Sequence, residues 1–502
     1  MSDVAPLRVV SPATGELLAQ IPAAGVPEVE AAVAAARAAA PGWAALPVRE
    51  RTAALKRWRR EVVDDPELLR ILVKESGKPR HEAEGIELLY FCELTRFVGS
   101  AARSALRTRR RGTLLFVVRR TDVRRLPLGV VGVIGPWNFP LLNNAADALA
   151  PLAAGNAVVL KPSEVTPLTS LRMEELWRRA GNPPDVFRVV AGRGDAWAAL
   201  VDRADGVMFT GAVATGRKVA ARCGERLVPC VTELGGKGAF VVLAGADLAG
   251  AARAAAWSSF VNSGQVCIRT ERILVEESVA DDFERLFLAR VRALRQAVPD
   301  PDGCGEHDLG AVTFARQLEV VARQVEDAVS RGARVVSGGS SRDDLPGRFF
   351  EPTVLTGVTP GMAVFREETF GPLVPIVRAK DAGEALRLAN DSHLGLSATV
   401  WGPSRAARKL AAGIAAGNAI VNGALVHYFV VSAPFGGEKA SGLGVRHGEE
   451  GIRAWTRTRS VNVGRPLLAP LDRFLARRLA FPYDRRVLSV MHRAIRLLYR
   501  RV

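Results

Sequence analysis

The chain has 502 residues, 48% hydrophobic and 24% charged, a balance that supports more than one packed core and does not suit a largely disordered protein. Its formal net charge of +17 would fit a nucleic-acid binder, but residues 103–125 (nine Arg, one Asp) and 465–502 (ten Arg, two Asp) supply +16 of it. The remainder is nearly neutral, so no nucleic-acid partner is expected. No apolar run approaches the ~18 residues of a spanning helix, and Met1–Glu16 lacks the apolar core of a secretory signal.

In chain order, Val130–Ile134, Ala157–Leu160, Phe187–Val190, Val207–Phe209 and Ala239–Leu243 read as buried strands, with helices at Leu168–Ala180 and Ala196–Val201 between them. Such alternation implies a parallel sheet covered on both faces. A second set follows Glu271: a strand at Arg272–Val275, helices around Ala280–Ala297 and Phe314–Arg331, then strands at Leu373–Val377 and Ala419–Val421. Two α/β domains joined near residues 233–240 is the economical reading. After Pro466 the chain becomes Arg-rich. Leu471, Phe474, Leu475 and Leu479 suggest a short helix ended by Pro482. From Asp484, Leu488, Met491, Ile495, Leu498 and Val502 fall on one helical face, while Arg486, Arg493, Arg496 and Arg500 fall on another.

Five cysteines (Cys92, Cys223, Cys230, Cys267, Cys304) lack metal-ligand spacing and fit free thiols in a reducing compartment, so no metal is expected. Cys267 closes Gly-Gln-Val-Cys, in a loop after a helix at Leu248–Val261 that Asn262-Ser263-Gly264 would stop. Nothing local separates it from an inert thiol. Glu233, in Thr-Glu-Leu-Gly-Gly-Lys, is either a solvated loop carboxylate or one held near a ligand by the glycines after it. Asn138, in Gly-Pro-Trp-Asn-Phe-Pro, directly follows a strand, where ligands of α/β sheets bind. Its amide can donate to an oxyanion or simply shape a turn. Gly211 and Gly216 frame a strand-to-helix turn of the kind that accepts phosphate, although the usual G-x-G-x-x-G is absent. Lys161 and Glu164 can hold ribose hydroxyls or be surface charges.

Jointly, Pro-Trp-Asn-Phe-Pro, Lys-Pro-Ser-Glu, Phe-Thr-Gly-x4-Gly, Glu-Leu-Gly-Gly-Lys, Gly-Gln-x-Cys, Glu-Glu-Thr-Phe-Gly-Pro and Pro-Phe-Gly-Gly-x-Lys-x-Ser-Gly resemble the aldehyde dehydrogenase superfamily, in family order across residues 8–462. The resemblance implies an α/β fold with a Rossmann-type NAD-binding domain (1–104 and 128–235), an α/β catalytic domain (236–455) and a β-hairpin oligomerisation arm (105–127 and 456–465). A basic amphipathic extension (466–502) follows. It implies oxidation of an aldehyde to the acid, with Cys267 as nucleophile, Asn138 as oxyanion donor and Glu233 as the base that hydrolyses a thioester. Glu233 favours hydrolysis over transfer to coenzyme A. Trp137, Lys161, Glu164, Gly194, Gly211, Gly216, Leu234, Gly235, Glu368 and Phe370 match cofactor-lining positions. Glu164 leans the cofactor toward NAD, although some relatives with Glu here accept NADP. Ala212 stands where the family often has Ser, and Glu438 where many members have an apolar residue.

Homodimers or homotetramers are usual in the family. The Asn422, His427, Pro434-Phe-Gly-Gly and His447-Gly448 segments resemble class 3 and fatty-aldehyde dehydrogenases. With the basic tail, this points to a medium- or long-chain aliphatic or aromatic aldehyde. It also points to a cytoplasmic protein that touches the inner face of an anionic membrane through its C-terminal helix. Alternatively the tail gates the substrate mouth or packs on a partner subunit. A semialdehyde such as succinate semialdehyde is the rival substrate, with Arg269 available to bind its carboxylate. A catalytically silent protein of the same fold is the third reading.

Overall fold

In the computed structural model, which describes residues 5–112, 118–303, 307–482 and 485–500, four of the five apolar runs of the first set form one sheet, and the fifth, Ala239–Val242, joins the second sheet instead. Cys304, Asp484, Val502 and the turn of the expected hairpin at 113–117 lie outside the described residues. Across the sheet the strands run 442–443, 230–233, 206–210, 130–134, 157–161 and 187–189. All neighbours are parallel except Gly442–Leu443, which lies antiparallel to Cys230–Glu233 with Gly442 opposite Glu233. A two-residue edge strand carries no periodicity, so the sequence did not announce it.

These strands are short because both faces are buried and each needs only enough length to cross the core. Val130–Ile134 is buried at every position. One face packs on Val29, Val33 and Ala36 of the helix Val26–Ala45, and on Leu200 of the helix Gly194–Val201. Each such side chain contributes roughly 1.5–3 kcal/mol by leaving water. The helix 26–45 escaped the sequence reading because its alanine-rich run has little amphipathic contrast. Successive strands spread in opposite directions from the neighbours 130–134 and 206–210, so the carboxyl ends of that pair open a crevice.

A second sheet follows in the order 334–337, 353–356, 373–379, 272–276, 239–242, 397–401, 418–421. It is parallel except at the 334–337 edge. Its faces are covered by separate apolar clusters, one around Leu274, Val325 and Phe365, the other around Phe240, Phe260 and Phe283.

The chain divides into two compact units, Met1–Ala105 with Pro127–Trp455, and Leu106–Leu126 with Thr456–Val502. Both sheets belong to the first. In the second, the strand Arg119–Pro127 lies between Arg109–Arg111 and Thr456–Gly464. Two helices follow, Ala469–Leu479 and Arg485–Tyr499. No helix of the described residues is long and apolar enough to cross a membrane.

Candidate active site

Three segments meet where the two sheets adjoin: 233–238, 264–271 and 368–373. A buried charge cluster ties them. Glu271 accepts from Lys237 Nζ at 2.6 Å, Arg269 Nε at 2.6 Å, and the backbone N–H groups of Thr369 and Phe370 at 2.9 and 3.1 Å. Arg269 also donates to the carbonyls of Ser259, Gly371 and Leu373. Burial works to raise the Glu271 carboxyl, but Arg269 and Lys237 outweigh it and hold it far below the usual carboxylate range. Burial brings Lys237 down to about 8.

Backbone contact is equally close. A Cβ on Gly236 would stand 2.2 Å from the Cys267 carbonyl oxygen, and one on Gly238 2.2 Å from that of Arg269. The chain therefore needs glycine there to lay the end of the strand 230–233 against the Cys267 loop. On the other side, the helix Leu248–Phe260 ends in three successive left-handed residues, Asn262 (φ 51°), Ser263 (φ 53°) and Gly264 (φ 74°). A Cβ on Gly264 would meet the Gly371 carbonyl at 2.2 Å. That reversal turns Cys267 out of the helix axis and toward a pocket.

Cys267, Glu233 and Asn138 come together here. Asn138 Nδ2 donates to the carbonyl of Gln265 at 2.8 Å, two residues before the thiol, leaving its second N–H for a ligand. The Asn138 carbonyl is gripped by Lys78 Nζ at 2.9 Å and Asn262 Nδ2 at 3.0 Å. Lys78 is itself paired with buried Glu87. Glu233 is buried and pushed up to about 8, chiefly by desolvation, with Arg446 opposing the rise. The Cys267 thiol is pushed up to about 12 by burial and then by Glu233, again opposed by Arg446. The Glu233 carboxylate thus disfavours the thiolate form of Cys267, while Arg446 favours the ionised form of both.

The residues matched to cofactor positions gather at the carboxyl ends of the first sheet's strands. Trp137 follows 130–134, Lys161 and Glu164 end or follow 157–161, Gly194 follows 187–189, Gly211 follows 206–210, and Leu234 and Gly235 follow 230–233. Lys161 Nζ lies 3.3 Å from Glu164 Oε2, the lysine buried and the carboxylate half-exposed. The helix Val213–Glu225 begins after Ala212 with no side-chain cap, so its first N–H groups are open to an anion. A Cβ on Gly216 would meet Leu234 Cδ2 at 2.3 Å, and one on Gly235 would meet Glu368 Oε2 at 2.4 Å. Glu368, raised to about 7 by burial and by Glu271, accepts from the Gly236 N–H at 2.7 Å. The Phe370 ring stands edge-on to Trp137 at 5.4 Å. An ammonium, a carboxylate, an open helix N-terminus and an aromatic ring face suit ribose, pyrophosphate and a planar ring.

Beside Cys267 lies a pocket, open on one side and walled by Phe139, Leu142, Trp257, Val266, Leu425 and Phe429. Its lining includes Asn143 and Tyr428 but no charged side chain. Arg269 is a correction to the sequence reading: it is fully buried in the Glu271 cluster and does not line this cavity. Its four hydrogen bonds are structural. The reading also missed Lys237, Glu271 and Arg446. The first stands inside a quoted motif and the last beside another, but no charge partner could be assigned to them before folding.

Comparison with known proteins is consistent along the chain. The model of the aldehyde dehydrogenase family matches residues 2–461. A protein of Mycolicibacterium smegmatis to which succinate-semialdehyde dehydrogenase activity with NADP(+) is ascribed is 42% identical over 458 residues, covering 90% of this chain and 88% of the other. A 4,4'-diapolycopene aldehyde oxidase of a Methylomonas species is 38% identical, covering 89% and 83%. The crystal structure of a Mycobacterium tuberculosis aldehyde dehydrogenase complexed with NAD+ superposes with a TM-score of 0.87 at 34% identity, covering 92% of this chain and 95% of that one.

The backbone contact at Gly236 is directly testable. Gly236→Ala forces the Cys267 loop to move, and overpacking of this kind costs about 1–3 kcal/mol. Turnover should fall at least about tenfold, since small misplacements of a reacting group have effects of that order. Gly224→Ala, where an added Cβ meets nothing within 4 Å, should leave both thermal stability and turnover intact. Wild-type turnover in Gly236→Ala would contradict the packing described.

Proposed function

This chain belongs to the aldehyde dehydrogenase family, and from that premise we propose a hydrolytic oxidation of an apolar aldehyde carried by Cys267, Glu233 and Asn138. It is an NAD(P)-dependent enzyme. Bound NAD or NADP supplies the hydride acceptor. Lys161 and Glu164 would hold its adenosine ribose, Gly211, Gly216 and the following helix would take the pyrophosphate, and Glu368, Phe370, Trp137, Leu234, Gly235 and Gly194 would line the rest.

Cys267 attacks the aldehyde carbon as thiolate, and the carbonyl oxygen becomes an oxyanion facing the free amide N–H of Asn138 and the backbone N–H of Cys267. Loss of hydride from the resulting thiohemiacetal leaves a thioester. Glu233 then takes a proton from water, the hydroxide oxygen adds to the thioester carbon, and the C–S bond breaks to release the acid and the thiolate. Cys267→Ser is expected to lose turnover by several orders of magnitude. Glu233→Gln should release one equivalent of NADH in a burst and then stall. A steady-state rate unchanged by Glu233→Gln removes Glu233 from the hydrolytic step.

One observation carries the substrate class: the cavity at Cys267 has no charged wall. A carboxylate brought there would lose its hydration without a partner, which is costly. Apolar chains or rings, of medium or greater length, gain from the same surroundings, about 0.8 kcal/mol per buried CH2. The resemblance to class 3 and fatty-aldehyde dehydrogenases, and the name of the Methylomonas relative, support this reading. A small acidic semialdehyde is the second reading, supported by the name of the Mycolicibacterium relative. With NAD and with NADP, kcat/KM should rise along a series from propanal to decanal and exceed that for succinate semialdehyde. The reverse order would establish the acidic substrate.

The second unit supports association through its surface. Its strand 456–464 is an edge of the three-stranded sheet, which suits pairing into a homodimer or homotetramer. Arg110, Arg111, Arg120 and Arg465 line one cleft, bringing the two arginine-rich segments together. On the helix Arg485–Tyr499 no residue is buried, and Leu488, Met491, Ile495 and Leu498 are each more than 40% exposed on one face. A basic amphipathic helix with an uncovered apolar face suits an anionic bilayer surface. The protein should co-sediment with phosphatidylglycerol-containing vesicles at low salt, less at high salt, and not with pure phosphatidylcholine. Leu488→Glu combined with Ile495→Glu should weaken binding further. No binding to anionic vesicles at low salt would eliminate the membrane contact.

A further inference from the structure

Behind Glu233 lies a fully buried cation that the reaction as described does not use. Arg446 is fixed by three neutral partners: its Nη1 donates to Asn143 Oδ1 at 2.9 Å and to the Tyr428 hydroxyl at 2.6 Å, and its Nη2 donates to Thr210 Oγ1 at 2.7 Å. Thr210 is the ladder partner of Glu233 on the adjacent strand, so the guanidinium is registered to the base by the sheet itself. That grip leaves Nε facing Glu233 Oε1 at 3.7 Å, while Nη2 lies 3.4 Å from Asp147 Oδ2. Arg446 Nε, Glu233 Oε1 and Asp147 Oδ2 are all buried and have no hydrogen-bond partner. Three charged atoms held this close, each lacking one bond, form a cluster in which two carboxylates compete for one cation.

We propose that Arg446 is a positioning residue for Glu233. It favours the ionised form of the carboxylate and orients it as the base for thioester hydrolysis, with Asp147 as the competitor that limits the effect. This rests on the reading of Glu233 as that base. Arg446 acts through Glu233 and need not touch the substrate.

The surrounding groups leave few alternatives. His447, which faces Tyr90 at 2.5 Å, is pushed down to about 3 by burial and then by Arg446, so it is neutral in the working range. Burial pushes Tyr90 and Tyr428 above the ordinary phenol range. Glu368, raised to about 7, acts on the Cys267 thiol, itself raised to about 12, rather than on Glu233. Asp147, raised to about 6 by desolvation and opposed by Arg446, is the remaining titrating neighbour of Glu233. A general base must be deprotonated, so hydrolysis rises with pH through the Glu233 titration. Removing Arg446 takes away the cation that opposes its rise and moves that acid limb to higher pH. Removing the Asp147 charge moves it to lower pH.

The test is the pH profile of thioester hydrolysis, read as the slow phase of NADH release after the burst, in wild type, Arg446→Met, Arg446→Lys and Asp147→Asn. In Arg446→Met the acid limb should move up by at least about one pH unit, a tenfold loss at a fixed pH on that limb, with the burst retained. Arg446→Lys should restore most of the shift, and Asp147→Asn should move the limb down. A limb that stays in place in Arg446→Met or in Asp147→Asn, whatever happens to the amplitude, overturns the proposal. If Arg446→Met does not fold, Asp147→Asn decides by its direction alone. Glu233→Gln separates the two ideas. If it still hydrolyses the thioester, the base assignment fails. If it stalls while the other variants leave the limb unmoved, only the role of Arg446 fails.

Discussion

The ion cluster of Lys237, Glu271 and Arg269 is the constraint on which the active-site geometry depends. Its four donors to one carboxylate come from three separate segments, and each segment carries part of the chemistry. Lys237 ends the stretch that begins with Glu233. Arg269 lies two residues past Cys267. Thr369 and Phe370 follow Glu368. Breaking such a buried pair by removing one partner costs about 3–5 kcal/mol, because the other charge is left unmatched. The cluster therefore holds Cys267, Glu233 and Glu368, the residues proposed as nucleophile, base and cofactor contact, in one register. The glycines at 235, 236, 238 and 264 are its steric counterpart, since backbone or carboxylate atoms occupy the place a side chain would take.

Around this frame the protein separates polar and apolar functions by side. Behind the reacting groups, Arg446, Asp147 and Glu233 form a dense charged cluster buried among Tyr90, Tyr428 and His447. In front, the cavity at Cys267 is walled by aliphatic and aromatic side chains. Asn143 and Tyr428 stand on the boundary. They line the cavity, but both bond to Arg446. An apolar chain entering the cavity thus displaces water without uncovering an unpaired charge. The same low-dielectric setting makes the neighbouring cation effective on Glu233.

Much of this was legible in the sequence, and unevenly so. The strand expected at Val130–Ile134 spans those same residues. The helix expected at Leu248–Val261 stops at Phe260, one residue short, with Asn262-Ser263-Gly264 reversing the chain. Motif order linked Cys267, Glu233 and Asn138 although they are far apart in sequence. Charge partners were not legible, because pairing is set by tertiary contact. Arg269 looked available to a substrate carboxylate and is instead committed to Glu271. Arg446 carried no signal beyond its place beside His447. The basic segments at 103–125 and 465–502 were visible as composition, and their meeting in one cleft was visible only in the structure.

In the proposed reaction Cys267 carries the acyl group and Glu233 removes it. The most direct measurement is peptide mass spectrometry of Glu233→Gln enzyme quenched in acid after mixing with NAD and decanal. The decanoyl mass is expected on the peptide containing Cys267, at close to one equivalent, and is expected to be lost on treatment with hydroxylamine. Acyl mass on another residue, or none after NADH has been released, would contradict it.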